Sequence, residues 1–246
     1  GGKVRSKVLC YSHVLGKSQE DKIAQAAEYV RERGLKVIRL RAGLPAANGT
    51  FGVTQNQDSP KIESWNPEDE IMNTVEYFIR VREAVGKKIG IIYDLHERFS
   101  PDQAVRILRR IEDYDPFFIE DPVAPDCADS LRYVREKTIA PIAFGELYKS
   151  RWECLPAITG RWIDFLRCDV IRIGGITEAR KIAALAETYD IKTAWHGPND
   201  VSPITHAVNW HLNVSEYNFG IQEDGTTDGL IHQVIPGRSS IIRYPS

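Results

Sequence analysis

Residues 89–122 read IGIIYDLHERFSPDQAVRILRRIEDYDPFFIEDP and hold one complete unit of a repeating chain. IGIIYD is a short β-rich run of buried-strand character. Ser100 is placed to cap a helix, Pro101 to occupy its first position, and AVRILRRI continues with apolar residues at helical spacing. FFIE then supplies a second strand. Strand, helix, strand in this order is the βαβ crossover, which joins parallel neighbours because the connection is too long for a hairpin.

The same alternation extends in both directions. Strand candidates are KVLCY from Lys7, KVIRL from Lys36, IGIIYD from Ile89, FFIE from Phe117, IAFGE from Ile142, FLRCDV from Phe165, IKTAWH from Ile191 and NFGIQE from Asn218. Helical patterns lie between them, such as SQEDKIAQAAEYVRERG, which Ser18 opens and Gly34 closes. Eight alternating units in 246 residues predict an α/β fold of the TIM type, a (β/α)8 or (β/α)7β barrel, rather than an open doubly wound sheet. One domain over 1–246 is expected, with a long active-site loop at about 41–67 whose Gly, Asn, Ser, Thr and Pro content marks a functional lid. No convincing helix follows Glu223.

Composition excludes several classes. A formal net charge of -2, with acids and bases nearly balanced, gives no reason to expect nucleic acid or an anionic membrane as partner. No apolar run reaches the roughly 18 residues of a membrane span, and the N-terminus lacks a signal peptide's apolar core, so a cytoplasmic location is expected. Cys10, Cys127, Cys154 and Cys168 show no Cys-x-x-Cys spacing and read as reduced, mostly buried thiols.

Asp94, Glu120 and Glu146 end three successive strands at intervals of one βα unit. Strand ends of a barrel converge at its C-terminal face, where three carboxylates repel one another unless a hard cation intervenes. An all-oxygen ligand set favours magnesium, Mg2+. A carboxylate-bound cation at such a mouth can stabilise the charge that develops when a proton leaves the carbon beside a substrate carboxylate. That chemistry needs a base and an acid, and His96 and His196 stand at strand ends beside the acids. Arg39, Arg41 and Arg167 lie near strand ends too, where a guanidinium can clamp a carboxylate; for Arg41 a solvated surface position is the preferred reading. His206, His211 and His232 receive no role.

Asp94 with His96, Glu120 in EDP, Glu146 in GEL, and the runs IGGITEARKIAALAE, TAWHGPNDVSP and NFGIQE together resemble the enolase superfamily, and within it the mannonate dehydratase subgroup. The resemblance runs from CYSH to IQE. It implies magnesium at Asp94, Glu120 and Glu146, His96 as the acid that helps expel the 3-hydroxyl, and His13, Glu146, Arg167, His196, Asp200 and Glu223 in contact with an acid-sugar substrate. The reaction it implies is loss of water from an aldonate such as D-mannonate or D-gluconate to give a 2-keto-3-deoxy acid, a carbon–oxygen lyase activity. A homo-oligomer is also implied, as is an N-terminal α+β capping domain, which is expected to be absent from this chain.

One position departs from the family pattern. The base implied there is a loop tyrosine partnered by the arginine that Arg39 matches, and its place is taken by Phe51. A phenyl ring neither loses nor accepts a proton, and general-base catalysis contributes about 10² to 10⁴ in rate, so weak activity is expected. His196 is the substitute base. Arg39 and Arg41 stand where other branches carry a lysine pair, which speaks against a racemase or cycloisomerase. Pro198, in HGP, resembles the variant of less active members that also take gluconate. Two alternatives stay open: a dehydratase for another sugar acid with His196 as base, and a catalytically silent homologue that binds metal or sugar acid.

Overall fold

Eight parallel strands form one ring in the computed structural model, which describes residues 2–16, 18–42, 67–199 and 201–225. They are β1 (Cys10–His13), β2 (Val37–Arg41), β3 (Gly90–Asp94), β4 (Phe118–Glu120), β5 (Ile142–Phe144), β6 (Phe165–Leu166), β7 (Lys192–Thr193) and β8 (Gln222–Glu223). Seven α-helices alternate with them: α1 (Gln19–Arg33), α2 (Pro67–Val85), α3 (Pro101–Ile111), α4 (Ala128–Arg135), α5 (Arg151–Thr159), α6 (Ile176–Glu187) and α7 (Pro203–Ser215). The strand order is β7-β6-β5-β4-β3-β2-β1-β8, and a parallel bridge from Phe219 to Thr193 closes β8 onto β7. Over the described residues this is the (β/α)7β form of the expected barrel. Phe51 and almost all of the 41–67 loop lie outside the described residues, as do Asp200 and His232.

Local chemistry sets the helix ends. Ser18 Oγ accepts the Asp21 N–H at 3.1 Å while Asp21 Oδ2 accepts the Ser18 N–H at 3.2 Å, and Gly34 leaves α1 at φ 66°, a conformation costly for a residue with Cβ. Ser100 and Gln103 make the same reciprocal pair at the start of α3, with Pro101 in the first turn.

Two residues per repeat along each strand decide what fills the ring. Tyr11, Val37, Ile92, Phe118, Ala143, Ala194 and Ile221 form a buried apolar cluster inside it, with Phe165 packed against them. Adding two to these positions on β1, β2, β3, β4, β6, β7 and β8 gives His13, Arg39, Asp94, Glu120, Arg167, His196 and Glu223. Side chains at i and i+2 share a face, so an apolar plug carries a layer of ionisable groups directly above it, toward the C-terminal mouth. On β5 the corresponding residue is Gly145, at φ 122°, where a Cβ would sit 3.3 Å from Cys168 Sγ.

The thiols divide evenly: Cys154 and Cys168 are buried, Cys10 is half-buried and Cys127 is exposed, so the expectation of mostly buried thiols holds for half of them. Among the described residues no helix is long and apolar enough to cross a membrane.

Candidate active site

Strand register brings the acids together. Asp94 and Glu120 are direct partners across β3 and β4, and Arg41 partners Asp94 across β2 and β3. Glu120 partners Ala143, so Glu146 stands three residues beyond, past the end of β5. Among the described residues, Glu120, Asp121 and Glu146 each bring an oxygen within 4.8 Å of the others. Asp94 is turned toward cations instead: its Oδ2 accepts from Arg39 Nη2 at 2.5 Å and Arg41 Nε at 2.9 Å, while its Oδ1 is buried without a hydrogen-bond partner.

Two fully or nearly buried guanidiniums bind this layer into a unit. Arg39 Nε and Nη2 donate to Glu120 Oε2 and Oε1 at 3.0 and 2.9 Å. Arg167 Nε lies 2.8 Å from Glu120 Oε1, and its Nη2 donates to Glu223 Oε2 at 2.8 Å. Burial alone would raise the Glu120 carboxyl, but Arg167 and Arg39 outweigh it and hold the group at about 2. Glu223 is likewise opposed by burial and held well below the carboxylate range by Arg167 and by His13, whose Nε2 is 2.5 Å from Glu223 Oε1. Asp121 goes the other way: burial, then Glu146 and Glu120, push it well up.

A cavity of about 460 Å³ opens above the layer, lined by His13, Arg39, His96, Glu146, His196 and Glu223, all of them expected at the site. Arg167 lies beneath it, fully buried. Arg41 also lines the cavity and bonds Asp94, which corrects its reading as a solvated surface residue. Its position opposite Asp94 in the register, rather than any sequence motif, places it there.

His96 reaches the cavity by a route different from simple strand alternation. β3 ends at Asp94, and His96 and Glu97 follow in a turn at φ 52° and 61°. Two successive non-glycine residues in the left-handed region are uncommon and are found where surrounding structure dictates them, often at functional sites. Burial pulls the His96 imidazole below its usual range, Arg41 adds to this and Asp94 opposes it. Glu97 is half-buried, and that partial burial, with Glu146 and Asp94 nearby, pushes it up to about 7.

His196 is oriented from behind. Its Nδ1 lies 2.8 Å from Asp169 Oδ2, and its Nε2 faces Glu146 Oε1 at 3.4 Å. Asp169 accepts only, once ionised, so it selects the tautomer with the proton on Nδ1 and leaves Nε2 as the basic atom toward the cavity. Its other oxygen accepts the backbone N–H groups of Ile171 and Arg172 at 2.7 and 3.2 Å, fixing the turn that carries Arg172 to the cavity rim. Asp169, Asp121 and Arg172 are absent from the sequence expectations. The signal for Asp169 was its place two residues after Arg167.

These carboxyls set opposing pH dependences. Glu120 and Glu223, depressed in the fold, contribute stability above the unfolded value near 4.3 and lose it as pH falls below that value, Glu120 through about 2. Glu70, Glu97 and Glu216, which burial raises to about 7, have the reverse sign: ionising them costs the folded state stability as pH rises from about 4.3 through 7. Thermal midpoints in metal-free buffer are therefore expected to peak at about pH 5; a peak at pH 8 would contradict this balance.

The donor set fits a divalent cation. Asp94, Glu120, Asp121, Glu146, Asp169 and Glu223 outnumber Arg39, Arg41 and Arg167, and Asp94 Oδ1 and Asp121 Oδ2 are buried without hydrogen-bond partners. Buried unpaired oxygens in an acid-rich layer are costly unless a cation takes them up.

The family model described as enolase C-terminal domain-like matches residues 21–242. A D-mannonate dehydratase from a Sphingomonas strain is 36% identical over 231 residues, covering 91% of this chain and 57% of the relative. A D-galactonate dehydratase family member from Streptomyces bingchenggensis is 33% identical over 243 residues, covering 95% and 59%. The crystal structure of an enolase from Pantoea ananatis with bound D-gluconate and magnesium superposes with a TM-score of 0.83 at 34% identity, covering 96% of this chain and 61% of that one. The chain thus spans 57% to 61% of the length of these relatives.

Proposed function

The chain belongs to the enolase C-terminal domain-like family, and on that premise we propose that it is the barrel of a magnesium-dependent acid-sugar dehydratase. The observation that carries the proposal is the meeting of two imidazoles, His96 and His196, with Glu146 in one cavity above the Asp94–Glu120 carboxylate layer. The relatives named for mannonate and galactonate, and the gluconate and magnesium in the Pantoea structure, support an aldonate as substrate.

Asp94, Glu120 and Glu146 would hold magnesium, with Asp121 beside them. Bound there, magnesium would supply positive charge to the substrate carboxylate as electron density moves onto it. Nε2 of His196, with Asp169 behind it, takes the proton from the carbon next to that carboxylate. His96 hands its N–H proton to the departing 3-hydroxyl, which leaves as water; the resulting enol becomes the 2-keto-3-deoxy acid by proton shift. Arg39, His13 and Glu223 bind and orient the acid sugar from the β1–β2–β8 side. Because Phe51 offers no proton-accepting atom, turnover is low compared with a relative carrying a tyrosine base.

Calorimetric titration with magnesium tests the ligand assignment without any substrate. The chain is expected to bind magnesium, and Glu120→Gln to lose that binding at least tenfold, since a carboxylate ligand becomes a neutral amide. Equal affinity in both would remove Glu120 from the ligand set.

A further inference from the structure

Helix α7 turns a polar face toward the barrel where an apolar stripe is usual. His206, Asn209 and Asn213, spaced to share that face, are 2%, 0% and 0% exposed. Each reaches the segment that carries His196 or the strand that carries Glu223. His206 Nε2 donates to Pro198 O at 3.0 Å, and Asn209 Nδ2 donates to His196 O at 2.8 Å. Asn213 Nδ2 donates to Gln222 Oε1 at 2.6 Å, and Gln222 Nε2 in turn donates to Trp195 O at 3.0 Å and Glu223 O at 2.7 Å.

This ladder completes the backbone pairing of a segment that leaves the sheet early. β7 ends at Thr193, and beyond it the N–H groups of Ala194 and His196 bond Leu166 O and Cys168 O on the β6 side. The carbonyls of Trp195, His196 and Pro198 face the other way, with α7 and Gln222 supplying their donors. Packing is close enough to exclude a side chain at the centre: a Cβ on Gly197 would come 2.8 Å from Gln222 Nε2 and 3.3 Å from Asn209 Nδ2. A buried carbonyl that loses its donor is left unsatisfied, which penalises displacement of the segment; the amide oxygens of Asn209 and Asn213 are themselves buried without a partner, so the ladder acts through its donors.

We infer that α7 is the positioning element of the proposed base, and that Asn209, through the His196 carbonyl, is a positioning residue that fixes where the imidazole stands. The inference rests on the proposed role of His196 for its catalytic consequence and on the hydrogen-bond ladder alone for its structural one. Asn209→Leu keeps the number and branching of side-chain heavy atoms and removes the donor. Leu212→Ala, on the same helix and apolar, is the control for general loss of packing, because it removes no bond to 195–198. Asn209→Ser, too short to reach the carbonyl, is the second variant should the leucine prevent folding.

Two readouts decide the matter. Amide exchange of the peptide spanning 194–199 is expected to quicken at least tenfold in the Asn209 variant and less in Leu212→Ala. The kcat for an accepted aldonate is expected to fall about 10- to 100-fold with KM within about twofold, since sub-ångström misplacement of a reacting group weighs on the chemical step. Exchange or kcat no more affected than in Leu212→Ala would overturn the inference. A chain that turns over no aldonate would remove the dehydratase reading instead, and the exchange comparison would still decide whether α7 fixes the segment.

Discussion

Replacing His196 by asparagine is expected to lower kcat for an accepted aldonate by about 10² to 10⁴, the usual contribution of a positioned general base. KM should change far less, because Arg39, His13 and Glu223, the residues proposed to bind the acid sugar, are left in place. The physical reason is the pair behind the cavity: Asp169 Oδ2 at 2.8 Å from Nδ1 holds the tautomer, and asparagine can occupy the space without accepting a proton. Asp169→Asn should lower kcat in the same direction while leaving the imidazole present. Steady-state kinetics of both variants against a common aldonate measures this, and full activity in His196→Asn would move the base elsewhere.

Arg167→Met is expected to cost about 3 to 5 kcal/mol of stability, the range for removing one partner from a buried ion pair. Arg167 is 0% exposed, and its guanidinium stands between Glu120 and Glu223, at 0% and 1% side-chain exposure. Without it two carboxylates remain beneath the cavity with less opposing charge. Urea unfolding followed by circular dichroism would measure the loss. Adding Glu223→Gln should return part of it, since the second change removes a buried charge that the first left with less compensation. A loss below about 1 kcal/mol would mean that Glu120 and Glu223 do not depend on Arg167 for their compensation.

All eight strands were legible because apolar β-rich runs and helix caps each report on their own neighbourhood. Their lengths were not. FLRCDV and IKTAWH have the composition of six-residue strands, yet only Phe165–Leu166 and Lys192–Thr193 keep ladder partners. Beyond those pairs the backbone stays close to its neighbours, but side chains and caps, such as the Asn209 amide, take over its carbonyls.

Much of the candidate site was legible for a similar reason: an ionisable residue two positions past an apolar strand residue points into a barrel mouth. His96 fitted that rule by position and escaped it by geometry, since it sits in a left-handed turn. Arg41 was assigned to the surface and Asp169 was missed because their meaning lies in partners, Asp94 across the register and His196 beyond the next strand, which no local pattern reveals. His206 was set aside as an ordinary helix residue, and the carbonyl it bonds is supplied by a different element.

Incubating the protein, as full-length chain, with magnesium and a panel of aldonates that includes D-mannonate, D-gluconate and D-galactonate, and assaying for a 2-keto-3-deoxy acid, tests the central claim most directly. Slow, chelator-sensitive formation of that product from at least one aldonate is the expected result. Product from none of them, with magnesium bound, would contradict a dehydratase and leave a silent binding homologue.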